Sequence, residues 1–124
     1  MSKILIIEDN PTNMKLFSDL LESKGYDTEK VFDGEEGYEK LEKGGASAYD
    51  LVLLDIQLPK MDGFSLLEKA RVEGLELPPI IIVSAFAMDH EISMAKLYKV
   101  KDYITKPIDI VKFMNTVDKA VKGE

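Results

Sequence analysis

The sequence predicts an α/β fold, a doubly wound (βα)5 sandwich around a parallel five-stranded sheet. Three observations carry that expectation. Short apolar runs alternate with amphipathic stretches along the whole chain, the pattern of strands separated by crossover helices. Gly and Pro signals sit between the two kinds of segment, where turns belong. At 124 residues, 45% of them hydrophobic, the chain can bury one substantial core and is too short for a second domain. No linker, repeat or low-complexity tract interrupts it, so residues 1–124 are expected to form one domain with no attached output domain.

The elements follow in order. Ile4-Leu5-Ile6-Ile7 is a buried strand. Asn10-Pro11 reads as a helix cap plus first-turn proline, and Met14, Phe17 and Leu21 share one face until Gly25 ends the helix. Thr28 to Phe32 is a weaker strand; after Asp33-Gly34 a helix carrying Tyr38 and Leu41 stops at Gly44-Gly45. Leu51-Val52-Leu53-Leu54 is a continuous apolar strand that ends at Asp55, and the turn-rich segment from Gln57 to Gly63 leads into a helix through Ala70. Pro78-Pro79 opens a fourth strand, Ile80-Ile81-Ile82-Val83, which runs into Ser84. A polar-capped helix spans about Asp89 to Tyr98, and Asp102-Tyr103-Ile104 is a short fifth strand. Lys106-Pro107 breaks the chain before a last helix from Ile110 to about Val121.

Composition removes several function classes. With 16 Lys+Arg against 23 Asp+Glu the formal net charge is −7, which argues against nucleic-acid binding because phosphates need a basic face. There is no cysteine, so disulfide scaffolds, thiolate metal sites and cysteine nucleophiles are excluded. His90, the single histidine, cannot build a multi-histidine metal site and reads as a surface residue. No apolar run approaches the roughly 20 residues of a membrane span, and the Met1-Ser2-Lys3 start lacks the features of a secretory leader. A cytoplasmic location is expected.

In doubly wound sheets ligands bind beyond the carboxyl ends of the strands. The sequence places Glu8 and Asp9 after the first strand, Asp55 after the third, Ser84 after the fourth, and Thr105 and Lys106 after the fifth. Converging carboxylates repel one another unless a pKa rises or a hard cation joins them. Magnesium fits best, since it takes one or two carboxylates and shares its other positions with water and phosphate. A carboxylate is also a nucleophile for phosphoryl transfer, and Lys106 with the Ser84 hydroxyl could cradle the transferred group. Taken singly, each residue has a plainer reading: Glu8-Asp9 and Ser84 as helix caps, Asp55 as a turn residue, Lys106 as a surface charge. The joint pattern, one of each chemical kind at one sheet edge, points to a site.

These residues resemble the motifs of response-regulator receiver domains of bacterial two-component signalling, the CheY-like family, over the whole chain. The matches are Ile6-Ile7-Glu8-Asp9-Asn10; Asp50-Leu51-Val52-Leu53-Leu54-Asp55-Ile56-Gln57-Leu58-Pro59 with Met61-Asp62-Gly63; Val83-Ser84-Ala85; and Asp102-Tyr103-Ile104-Thr105-Lys106-Pro107. The resemblance implies a flavodoxin-like sheet of strand order 2-1-3-4-5 and makes Asp55 the phosphoacceptor. It implies a metal site formed by Glu8, Asp9, Asp55 and the backbone carbonyl of Gln57, holding Mg2+, with Mn2+ able to substitute. Ser84 and Lys106 would bind the phosphoryl group, Ser84 and Tyr103 would form the switch, and the bond before Pro107 would be cis. The acidic pair is Glu-Asp where Asp-Asp is commonest, and Ser84 stands where Thr is more frequent. Asn10 with Asn13-Met14-Lys15-Leu16-Phe17, the Asp55 segment and Ala85-Phe86-Ala87-Met88 resemble the stand-alone, DivK-like regulators of cell-cycle signalling.

The resemblance implies a sensor histidine kinase or a histidine phosphotransfer protein as phosphoryl donor and a downstream protein target. The first helix near Asn13 and Leu16 and the loop after Pro107 are expected docking surfaces. Neither nucleic acid nor membrane is an expected partner, and the protein is expected to be a monomer or weak homodimer. No enzymatic turnover is expected beyond self-transfer and autodephosphorylation. Two other classes fit less well. A haloacid-dehalogenase-type phosphatase wants a second aspartate two residues after the nucleophile, where Gln57 stands. A flavodoxin-like cofactor module wants a Ser/Thr/Gly-rich phosphate loop, where Glu8-Asp9-Asn10 would repel phosphate.

Overall fold

In the computed structural model, which describes residues 2–86 and 88–123, strands β1 (Lys3–Ile7), β2 (Asp27–Val31), β3 (Leu51–Leu54), β4 (Ile80–Ser84) and β5 (Asp102–Thr105) form one parallel sheet. Its order is β2-β1-β3-β4-β5, the expected 2-1-3-4-5. Met1, Glu124 and Ala87, the last of these part of a motif match, lie outside the described residues. Helices α1 (Pro11–Ser23), α2 (Gly34–Gly44), α3 (Gly63–Glu73), α4 (Asp89–Leu97) and α5 (Ile110–Val121) alternate with the strands, as the doubly wound (βα)5 reading expects. A 3-10 turn at Gly45–Ser47, not anticipated, follows α2.

Apart from Lys3 at the start of β1 and Ser84 at the end of β4, the three inner strands are apolar runs because helices cover both faces of the sheet. Alternation along each strand then divides the core in two. Ile4 and Ile6 of β1, with Leu51 and Leu53 of β3, face Phe17 of α1 and Phe113 of α5. Leu5 and Ile7, with Val52 and Leu54, face Tyr38, Leu66 and Ala95 on the other side. The edge strands β2 and β5 are only partly buried and carry charged residues, which blunts their free edges.

Four helices begin at an Asx cap. Asn10, Asp33, Asp62 and Asp109 each accept the backbone N–H three residues on, at 2.8–3.0 Å. The exception is α4, expected to have a polar cap: it starts after Met88, whose side chain has no oxygen to offer. A second departure is at β2, which ends at Val31. Phe32, expected as the last residue of that strand, is 44% exposed where the chain turns into the Asp33 cap. No helix among the described residues is long and apolar enough to cross a membrane.

Candidate functional site

Strand register brings the predicted residues together. Ile7 pairs with Leu54 across β1 and β3, so the next residues, Glu8 and Asp55, leave the sheet side by side. Ser84 pairs with Thr105 across β4 and β5, and the Lys106 N–H donates to the Ser84 carbonyl at 2.8 Å. The result is a cleft of about 450 Å³ whose lining includes Glu8, Asp9, Asp55, Gln57, Ser84 and Lys106.

The electrostatics are unusual for a small acidic protein. Glu8 and Asp55 are 2% and 6% exposed, whereas Asp9 is on the surface. Carboxylate oxygens of all three lie within 4.8 Å of one another. The Lys106 ammonium sits between the two buried acids, 2.7 Å from Glu8 Oε1 and 2.9 Å from Asp55 Oδ2. Burial pushes the Glu8 carboxyl above the ordinary carboxylate range; Lys106 and the Asn10 N–H pull the other way, and the Asp55 charge adds to the rise. Burial lowers the Lys106 ammonium, but its bonds to Glu8 and Asp55 more than offset that, and its pKa is raised.

Backbone groups fix the acids. The Asn10 N–H donates to Glu8 Oε2 at 3.0 Å, and the Gln57 N–H approaches Asp55 Oδ1 at 3.3 Å. Glu8 Oε1 is fully buried and takes no directed hydrogen bond, although the ammonium is close. A buried anionic oxygen with spare lone pairs, beside two more carboxylates, is the donor set of a hard divalent cation. The residues present therefore fit Mg2+.

The other predicted residues surround this centre. Ser84 is fully buried, and its Oγ accepts the Phe86 N–H at 3.2 Å. Tyr103 is half-buried, and its hydroxyl donates to the Phe86 carbonyl, tying β5 to the loop after β4. The Lys106-Pro107 peptide bond is cis. Leu16 is 38% exposed on α1, and His90 is on the surface. The backbone groups of Asn10 and Phe86 went unseen in the sequence, because main-chain donors and acceptors carry no residue signature.

A parallel five-stranded sheet in the order 2-1-3-4-5, with buried acids and a lysine at its carboxyl edge, is the architecture of a signalling receiver, and the chain belongs to the response regulator receiver domain family, whose model matches residues 4–118. Among characterised relatives, it is 37% identical over 115 residues to the polar-differentiation response regulator DivK of Brucella ovis, covering 92% of this chain and 91% of that one. Its backbone resembles a Francisella response regulator receiver domain, with a TM-score of 0.86, 29% identity and coverage of 99% and 98%. It also resembles the receiver domain of a Pseudomonas aeruginosa sensor histidine kinase, solved with magnesium in the active-site cleft, at a TM-score of 0.82, 27% identity and 98% coverage of both chains.

Proposed function

We propose that this protein is a cytoplasmic two-component response regulator that accepts a phosphoryl group on Asp55 from a phosphohistidine of a partner kinase or phosphotransfer protein. The observation that carries this reading is the buried Asp55 carboxylate, bonded to the Lys106 ammonium at 2.9 Å and clustered with the acids Glu8 and Asp9. An Asp55 oxygen attacks phosphorus, the P–N bond of the donor breaks, and its electron pair returns to the imidazole nitrogen. Lys106 and the Ser84 hydroxyl hold the equatorial oxygens. Glu8, Asp9, Asp55 and the Gln57 carbonyl would hold Mg2+, or Mn2+ in its place, which neutralises phosphoryl charge. Gln57 stands where an aspartate-nucleophile phosphatase has its second aspartate, and its amide cannot take that proton-transfer role, which favours the receiver reading over a hydrolase.

The signal then passes to a partner protein. The Tyr103 hydroxyl and the Ser84 Oγ both bond Phe86, so a group that recruits Ser84 toward Asp55 disturbs the same loop that holds Tyr103. The relatives' name supports a role in polar differentiation, and the DivK-like resemblance of the motifs a role in cell-cycle signalling.

The test is intact-mass spectrometry after incubation with acetyl phosphate, with and without Mg2+, beside Asp55→Asn. A magnesium-dependent gain of one phosphoryl group that the variant lacks is the expected result. Steady release of phosphate without an adduct would favour a hydrolase, and an adduct in the variant would move the acceptor elsewhere.

A further inference from the structure

The segment 57–62 carries the Gln57 carbonyl yet contains neither helix nor strand. Lys60 within it is left-handed at φ 68°, a conformation few non-glycine residues adopt. Such a segment needs an external support, and the first turn of α2 provides one. The Gly34 N–H, one of the helix's unsatisfied first-turn donors, reaches the Pro59 carbonyl at 3.3 Å. Asp33 Oδ2 lies 3.8 Å from Lys60 Nζ. Most tellingly, a Cβ at Gly34 would stand 1.7 Å from the Met61 carbonyl oxygen and 2.6 Å from its carbon. Those are backbone atoms, which cannot rotate away as a side chain can.

Gly37, three residues along the same helix, makes the contrast. A Cβ there would meet only the Ile7 side chain, at 2.7 Å from its Cδ1. Both glycines allow α2 to pack closely, but one approaches the core and the other approaches the loop.

We propose that Gly34 is a positioning residue for the metal site: the first turn of α2 latches the 57–62 loop and so sets where the Gln57 carbonyl stands relative to Glu8, Asp9 and Asp55. The inference rests on the reading of that cluster as a Mg2+ site. A carbonyl ligand is useful only if held to a fraction of an ångström, and Mg2+ tolerates little distortion of its octahedron.

Isothermal titration of MgCl2 into wild type, Gly34→Ala and Gly37→Ala, with thermal unfolding of each, tests it. Gly34→Ala should weaken Mg2+ binding by about 10–100-fold, the range for groups that orient metal ligands. Gly37→Ala should lower Tm by several degrees through crowding of Ile7 while leaving Mg2+ affinity unchanged. Equal affinities in Gly34→Ala and wild type, or equal weakening in both variants, would overturn the latch and leave the metal site standing. Wild type that binds no Mg2+ would overturn the metal reading itself. Should Gly34→Ala not fold, amide exchange in wild type decides: Mg2+ should slow exchange of the Gly34 N–H and not that of Gly37, which bonds the Asp33 carbonyl inside the helix. An equal response at the two amides refutes the proposal.

Discussion

The helices α1 and α5 on one face of the sheet and α4 on the other are held in different ways. On one face α1 and α5 are bound by stacked rings, with Phe17 and Phe113 centroids 5.4 Å apart, and by a Tyr26 hydroxyl that donates to Asp118. Both helices have Asx caps and bury several side chains each. On the other face α4 buries Ala95 alone and lacks a side-chain cap. What holds α4 lies just past its end: Tyr98 stacks on Phe64 of α3 at 6.3 Å and donates to Glu68 at 2.9 Å. The lesson is a division of labour within one small domain. α1 and α5 are held along their length, while the helix that follows the Ser84 loop is pinned chiefly at its far end.

Three changes should break or sharpen this contrast. Phe113→Ala, which removes a fully buried ring from the firm face, should cost about 3–5 kcal/mol in urea unfolding. Tyr98→Phe keeps the stack and deletes one hydrogen bond; about 1 kcal/mol is expected, read as faster amide exchange in α4 with little change in α5. A matching loss of protection in both helices would mean that α4 is no looser than its counterpart. The smallest effect is electrostatic. Arg71 and then Tyr98 hydrogen-bond Glu68 and hold its carboxyl at about 2, down from 4.5. A lowered folded pKa stabilises above the unfolded value, so the contribution is whole above pH 4.5 and fades as pH falls toward 2. The stability difference between wild type and Glu68→Gln should therefore shrink across that window.

Much of the molecule was legible in its sequence, for local reasons. Ile4-Leu5-Ile6-Ile7 and Leu51-Val52-Leu53-Leu54 are apolar throughout because both faces are covered, and that leaves a mark in composition. The Asx cap at Asn10 is short-range chemistry and legible too, whereas the caps at Asp33, Asp62 and Asp109 follow the same chemistry but emerge only from the structure. Glu8, Asp9, Asp55, Ser84 and Lys106 could be placed at one edge because topology alone determines strand direction. What could not be read depends on backbone atoms meeting at a distance: Asn10 N–H on Glu8, Tyr103 on the Phe86 carbonyl, Gly34 against Met61. The start of α4 at Asp89 was legible, but its polar cap was not: Met88, with no side-chain acceptor, occupies the capping position.

The bond from the Lys106 N–H to the Ser84 carbonyl, at 2.8 Å, has a mechanical corollary. It clamps the roots of the hydroxyl and the ammonium to adjacent strands, so their separation is set by peptide geometry rather than by side-chain choice. The two backbones are thus fixed like the frame of a calliper, and the flexible Lys106 stem closes the remaining distance to Asp55, which its ammonium meets at 2.9 Å. On the proposed reading of Asp55 as phosphoacceptor, such a frame suits a tetrahedral group with three outward oxygens, which can touch hydroxyl and ammonium at once, and not a proton, which is too small to reach both.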